Sequence, residues 1–194
     1  MKSLENNQNG KWTVILAVIV TIQTMFFWLV TGSLVIILGT ASIGSYIAWF
    51  FTFRKKTINP EKIVPIYCLV LASEFFHQIE EVNADFVGSI NGSFHLHIAH
   101  EFMMTIFLLL AMFGFLGVIG LYKQHPLAYW YLWFVTIGPG LINSVAHVSF
   151  PLLVGQLYFP GLITVIVPTI FGILMVKTIY TELLFTNSNY TSQS

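Results

Sequence analysis

The sequence predicts an all-α integral membrane protein, a bundle of six transmembrane helices with both termini in the cytoplasm. Three observations carry this expectation. Hydrophobic residues make up 56% of the 194-residue chain and charged ones only 8%, about a third of the share usual in globular domains. Apolar runs of about 20 residues recur, each long enough to cross a bilayer as a helix. With six spans, all eight lysines and arginines fall on one side of the membrane, which the positive-inside rule assigns to the cytoplasm.

Residues 1–10 read as a polar, Asn-rich tail. Lys11 precedes a first span over residues 12–30, too long for a secretory signal and not followed by a small-residue cleavage site. Thr31-Gly32-Ser33 reads as a tight turn into a second span over 34–53, whose aromatic end suits the membrane interface. Residues 11–55 thus form an N-terminal hairpin. Arg54, Lys55, Lys56 and Lys62 flank Asn59-Pro60 in a basic loop before a third span over 63–81. Residues 82–96 hold two glycines, an Asn-Gly turn signal and no basic residue, and read as a loop. A fourth span is expected from His97 to Tyr122, a basic break over 123–126, and a fifth span over 127–150. An uncharged loop over 151–158 leads to a sixth span over 159–184 and a polar tail over 186–194. Lys2, Lys11, Lys123 and Lys177 join the basic loop on the cytoplasmic side. Pro139 and Pro168 fall inside spans, where they are expected to bend them.

Net charge is zero, which excludes a nucleic-acid binder relying on a basic surface. The single cysteine, Cys68, excludes an internal disulfide and a CxxC redox pair. Small size and the lack of a targeting signal point to a bacterial plasma membrane. Asn91-Gly92-Ser93 has the form of a glycosylation acceptor, relevant only in a secretory pathway.

The third span ends in Glu74-Phe-Phe-His77-Gln-Ile-Glu80-Glu81. On a helix these four titratable residues fall within an arc of roughly 120°. Ionisable groups at membrane depth cost several kcal/mol on insertion scales and mark functional sites by default. The topology brings other polar residues to the same outer level. His97, His100 and Glu101 open the fourth span at i, i+3, i+4, and Asn143 and His147 lie four apart near the end of the fifth. His95 falls off the face of its neighbours, and His125 reads as a loop residue on the cytoplasmic side. Histidines and carboxylates on facing helices, including Glu-x-x-His spacing, are what metal sites in bundles are made from. Imidazole with carboxylate suits zinc or iron. The candidate ligands are His77, Glu81, His100, Glu101 and His147. Without a metal, the same groups serve as general acid and base, with His77, Glu80 and Glu81 as the catalytic candidates.

His77-Gln-Ile-Glu80-Glu81 resembles the motif that names the HXXEE domain family of membrane proteins. Asn143-Ser-Val-Ala-His147 is similar to that family's NxxxH, and Tyr158-Phe-Pro160-Gly161-Leu-Ile-Thr164 to its YxPGxxT. The resemblance covers roughly residues 63–185, a four-helix membrane domain, and leaves the N-terminal hairpin outside. It implies a shared site at His77, Glu80, Glu81, Asn143, His147 and Tyr158, and favours these over Glu74. The family is suspected of enzymatic activity, without a named reaction. Read physically, the third motif opens the sixth span: Pro160 suits a first helical turn, Gly161 permits close approach, and the exposed N–H groups can receive an anion.

Three functions remain open on the sequence. The first is a membrane-embedded enzyme acting on a lipid or other apolar small molecule, with residues 82–96 as a lid and Glu74, His97, Asn143, Tyr158, Gly161 and Thr164 supporting the site. The second is a binding or structural module in which the polar layer only holds helices together. The third is a proton or metal-ion transporter, disfavoured because the inner halves of spans three to six offer little beyond Tyr67, Ser73 and Thr136.

Overall fold

The computed structural model describes residues 2–32 and 35–191. Among them every regular element is helical: α1 (Lys2–Thr31), α2 (Val35–Thr52), α3 (Pro60–Asn83), a short α4 (Phe86–Phe94), α5 (His100–Tyr122), α6 (Pro126–Ile137), a π-helical turn (Gly138–Ile142), α7 (Asn143–Val154) and α8 (Ile166–Thr191). Five stretches are long and apolar enough to cross a membrane: Gly10–Thr31, Pro60–Asn83, His100–Tyr122, Pro126–Val154 and Ile166–Leu184. The expected second span is the shorter apolar helix Ile36–Thr52. The helical backbone runs further than expected at both ends, into the stretches read as polar tails. Of the expected turn after α1, Gly32 takes a φ of 58°, and Ser33 lies outside the described residues.

The larger core forms where α1, α2, α3, α6 and α8 meet, with Leu16, Trp49, Tyr67, Tyr129, Leu132 and Ile179 all but inaccessible. The N-terminal hairpin therefore shares a core with the rest of the chain. Trp133 of α6 donates its indole N–H to Thr52 Oγ1 of α2 at 2.8 Å, which removes an otherwise orphaned donor. The outlying α5 is buried only at Gly114, Gly117 and Leu121. Its glycines let α3 come close: Tyr67 donates to Gly114 O at 3.1 Å, and a Cβ at Gly117 would collide with the Tyr67 hydroxyl. Small residues at such crossings are how membrane helices gain van der Waals contact.

The basic loops gather at one end of the bundle. There the rings of Trp12 and His125 lie 4.8 Å apart, and Lys62 Nζ meets Glu182 Oε1 at 2.7 Å. His125 is more than a loop residue, because its Nδ1 accepts from Leu127 N and caps α6 ahead of Pro126. A second apolar cluster closes the opposite end, built from Phe86, Val87 and Ile90 of α4, Ile98, Phe150 of α7, and Phe159.

Several expectations are corrected at this end. Residues 82–96 contain a helix instead of an open loop. Asp85, left-handed at φ 54°, caps α4 by accepting Gly88 N–H at 3.0 Å, and the apolar face of α4 packs into the cluster. Burial of that face outweighs the turn preference of Asn91-Gly92, which lies within the helix. Asn91 is also unsuited to carry a glycan, since its amide both donates to and accepts from the Ile98 backbone, each at 2.9 Å. The fourth span starts at His100, because His95 terminates α4 in a left-handed conformation (φ 54°) and residues 96–99 are non-helical. The sixth starts at Ile166, so Pro160 lies in a preceding turn region, and Pro168 falls in the first turn of α8, where it is tolerated. Pro139 is absorbed by the π-helical turn. Beside it Gly140 and Gly172 bring α8 against the turn: a Cβ on Gly172 would lie 2.7 Å from Gly140 O.

That contact yields a test of the packing. Gly172→Ala is expected to lower stability by about 1–3 kcal/mol through overpacking against backbone. Gly92→Ala, which meets nothing within 4 Å in α4, is expected to leave stability unchanged or raise it. Chemical unfolding of both variants in detergent measures the difference; equal effects would contradict the crossing.

Candidate functional site

Three residues on one face of α3 point into the bundle. Glu74, His77 and Glu81, spaced i, i+3 and i+7, retain 6%, 0% and 5% of their accessible surface. From α7, His147, 1% exposed, meets them. Its Nε2 lies 3.0 Å from Glu81 Oε1, and His77 Nε2 lies 3.5 Å from the same oxygen. The two imidazoles pack edge to face with centroids 4.7 Å apart. One donor atom each from His77, Glu81 and His147 fall within 4.8 Å of one another.

The turn region before α8 holds this arrangement in place. Tyr158 donates to Glu80 Oε1 at 2.7 Å, while Thr164 donates its backbone N–H at 2.8 Å and its hydroxyl at 2.6 Å to Glu80 Oε2. The anion expected at this segment's exposed N–H groups is therefore the chain's own Glu80. Glu80, a catalytic candidate on the sequence, has both oxygens engaged as acceptors and ties α3 to residues 158–164. Gly161 lies flat against the imidazoles. Its φ is 91°, a conformation that L residues rarely adopt, and a Cβ there would collide with His147 and come within 2.7 Å of His77 Cε1.

Hydrogen-bond accounting assigns the His77 tautomer. The Thr164 hydroxyl has one proton and gives it to Glu80, so its oxygen accepts from His77 Nδ1, 3.1 Å away. The neutral ring then turns the lone pair of Nε2 towards the Glu81 carboxylate. Both groups are buried, and Nε2 has no hydrogen-bond partner. Two lone-pair-bearing atoms facing each other in a dry site call for a positive charge between them, either a proton or a metal ion. Two imidazoles and one carboxylate are a donor set used by catalytic zinc and by non-haem iron. An imidazole whose other nitrogen is held through Thr164 by a carboxylate is the outer-shell arrangement typical of metal-ligating histidines. The residues fit a metal.

Other sequence candidates stand apart. His97, His100 and Glu101 are exposed. His100 Nε2 lies 3.6 Å from Asp85 Oδ1, both side chains 66% exposed, at the rim of the site. The break at residues 95–99 takes His97 off the helix, and His100 and Glu101 open α5 outside the buried group. Asn143, half-buried one turn before His147, makes no side-chain hydrogen bond among the described residues. Glu74, ranked below its neighbours on the sequence, is among the buried groups, and its Oε2 has no partner. The sequence reading also missed the aromatic walls: Phe86 and Phe150 stand 5.4 and 5.8 Å from the His147 ring, and Phe159 packs on both. Phe150, three residues after His147, was visible by helical spacing; Phe86 and Phe159 reach the ring only through the fold.

No family model matches the chain, and neither does any curated protein or solved structure.

Tyr158, outside the spans, offers a pH readout. Burial and the Glu80 carboxylate it donates to push its hydroxyl up to about 12 from a usual 10. The folded value is raised, so its contribution to stability is complete below pH 10 and is lost as pH climbs through about 12. Ultraviolet titration is expected to show that Tyr158→Phe loses a tyrosine component ionising near pH 12. Loss of a component that ionises near pH 10 instead would place Tyr158 away from Glu80.

Proposed function

We propose that this chain is an integral membrane enzyme of six spans whose centre holds one divalent cation, zinc or iron, between His77, Glu81 and His147. Its substrate is a lipid or other apolar small molecule. Both termini lie in the cytoplasm, and the centre faces the extracytoplasmic side of a plasma membrane. The observation that carries this reading is the burial of two imidazoles and a carboxylate with their donor atoms within 4.8 Å. Bound there, such a cation supplies Lewis-acid polarisation of a substrate oxygen or an activated water near neutral pH.

The chain's own residues prepare the site. Glu80 and Thr164 keep the proton on His77 Nδ1 and direct Nε2 inward. Gly161 lets both rings sit against backbone. Phe86, Phe150 and Phe159 exclude water, which strengthens every electrostatic contact inside. Membership in the HXXEE domain family is proposed with this reading, supported by the meeting of three motifs far apart in the chain. A second reading, acid–base chemistry without metal, rests on the 3.0 Å contact between His147 and Glu81. Transport is weighed against by the inner half, where Tyr67, Ser73 and Thr136 all donate to backbone carbonyls of neighbouring helices or their own and line no polar path.

Elemental analysis of protein purified without chelator is expected to find about one zinc or iron per chain, lost in His147→Ala and Glu81→Gln. Thr164→Val is expected to weaken metal affinity about 10–100-fold, as removal of an outer-shell partner does. Wild-type protein without stoichiometric metal would remove the metal reading and leave the acid–base one.

Orientation is tested separately. In a Cys68→Ser background, Ser93→Cys is expected to react with a membrane-impermeant maleimide on intact cells, and Gln124→Cys only after permeabilisation. The reverse pattern would invert the topology.

A further inference from the structure

We propose that the cleft between the end of α3, α4 and the first turns of α5 is the entry route for the divalent cation. Asp85 and His100 at its mouth capture the ion and pass it inward to Glu81. The proposal rests on the metal centre given above and adds how an ion reaches so closed a site.

His77 and His147 are all but inaccessible, covered by the Gly161 backbone and the aromatic cluster. Glu81 lines the cleft, and the two histidines do not. Glu81 is 5% exposed, whereas the side chains of Asp85 and His100 are 66% exposed, so the cleft leads from solvent to the buried carboxylate. Its open space is about 40 Å³, room for about two or three waters. A volume of that size admits water and a single ion and no organic molecule.

The mouth has the chemistry of a cation site. Asp85 accepts the Gly88 N–H, which holds its carboxylate at the start of α4, and His100 opens α5 opposite it. Asp85 Oδ1 and His100 Nε2 lie 3.6 Å apart, beyond hydrogen-bond length. Two ligands of one zinc ion at tetrahedral angles stand about 3.4 Å apart, so the pair needs little movement to chelate. Residues 63–122 contain no lysine or arginine, while Glu80, Glu81, Asp85 and Glu101 are all at this end. A field of one sign at a narrow opening raises the local cation concentration. Phe86, Met103, Met104 and Phe107 wall the cleft. They offer no oxygen or nitrogen ligand, and thioethers prefer softer ions, so the ion is passed on and not held midway. Carboxylates at both ends and the water it carries offset the cost of that passage.

The test follows zinc chloride uptake by chelator-stripped, full-length protein in nanodiscs, with a fluorescent indicator reporting free zinc in stopped flow. Asp85→Asn keeps an oxygen to cap α4, and His100 is exposed, so neither change disturbs the fold. Both are expected to slow uptake about tenfold or more, the scale of lost electrostatic focusing, and to reach the wild-type zinc content. Release to excess chelator is expected to slow by the same factor, because a change in route alters both rates and leaves affinity unchanged. Met104→Trp, which narrows the cleft, is expected to slow both steps; Leu116→Trp, on an exposed turn of α5 away from it, is expected to slow neither. Wild-type rates in Asp85→Asn and His100→Ala would overturn the route. Faster release from His100→Ala would also overturn it, by making His100 a ligand of the bound ion. Stoichiometric zinc with rates unmoved by these variants removes the route alone, whereas wild-type protein that takes up no zinc removes the metal centre and the route with it.

Discussion

Two imidazoles share one carboxylate oxygen at the dry end of a helix bundle, and much of the chain's architecture follows from keeping them there. His77, Glu81 and His147 are each no more than 5% exposed. Groups of this kind persist in an apolar interior only when their hydrogen bonds and charges are matched. The groups come from three directions: α3 supplies the carboxylate and one ring, α7 the second ring, and residues 158–164 the hydroxyl that sets the first ring's tautomer, while His77 Nε2 is left without a hydrogen bond.

Glu80 is what connects these parts. It sits one residue from Glu81, which on a helix turns it about 100° away from its neighbour's direction. That turn takes it out of the centre and towards Tyr158 and Thr164. The adjacent carboxylates thereby divide their work: one faces the imidazoles, and the other fastens the segment that covers them. Gly161 then has to be a glycine twice over, for its positive φ and for the absence of a Cβ against two rings. Elsewhere in the bundle, polar side chains are spent on backbone, as with Ser42, Thr136 and Thr169 bonding to the preceding turn.

Much of this was legible before the structure. The phasing of Glu74, His77 and Glu81 on a single helix, and the spacing of Asn143 and His147, follow from 3.6-residue periodicity alone. Where reading failed, a local signal was overruled by packing. Asn91-Gly92 has strong turn preference, yet the apolar side of Phe86, Val87 and Ile90 had a cluster to enter, and a helix was the way to present it. His97, His100 and Glu101 looked like a ligand set because an unbroken helix was assumed from residue 97. The left-handed His95 and the non-helical residues after it removed that assumption. Glu80 and Glu74 exchanged rank for a similar reason, since which carboxylate is engaged depends on what lies opposite, and the opposing segment is 84 residues away in the case of Thr164.

The sequence by itself determined the helical class, the apolar stretches and the face of α3 that carries charge, because composition and periodicity are properties of neighbouring residues. It also determined which end of the molecule is basic, as the lysines and arginines fall in the loops and helix ends of one side. Only the tertiary structure decided which titratable groups meet. Convergence depends on how far α7 reaches past its π-helical turn, on where α5 begins, and on a turn region folding back under α8 to meet Glu80. These are distances between segments remote in the chain, set by packing against a common core, and no spacing along one helix encodes them.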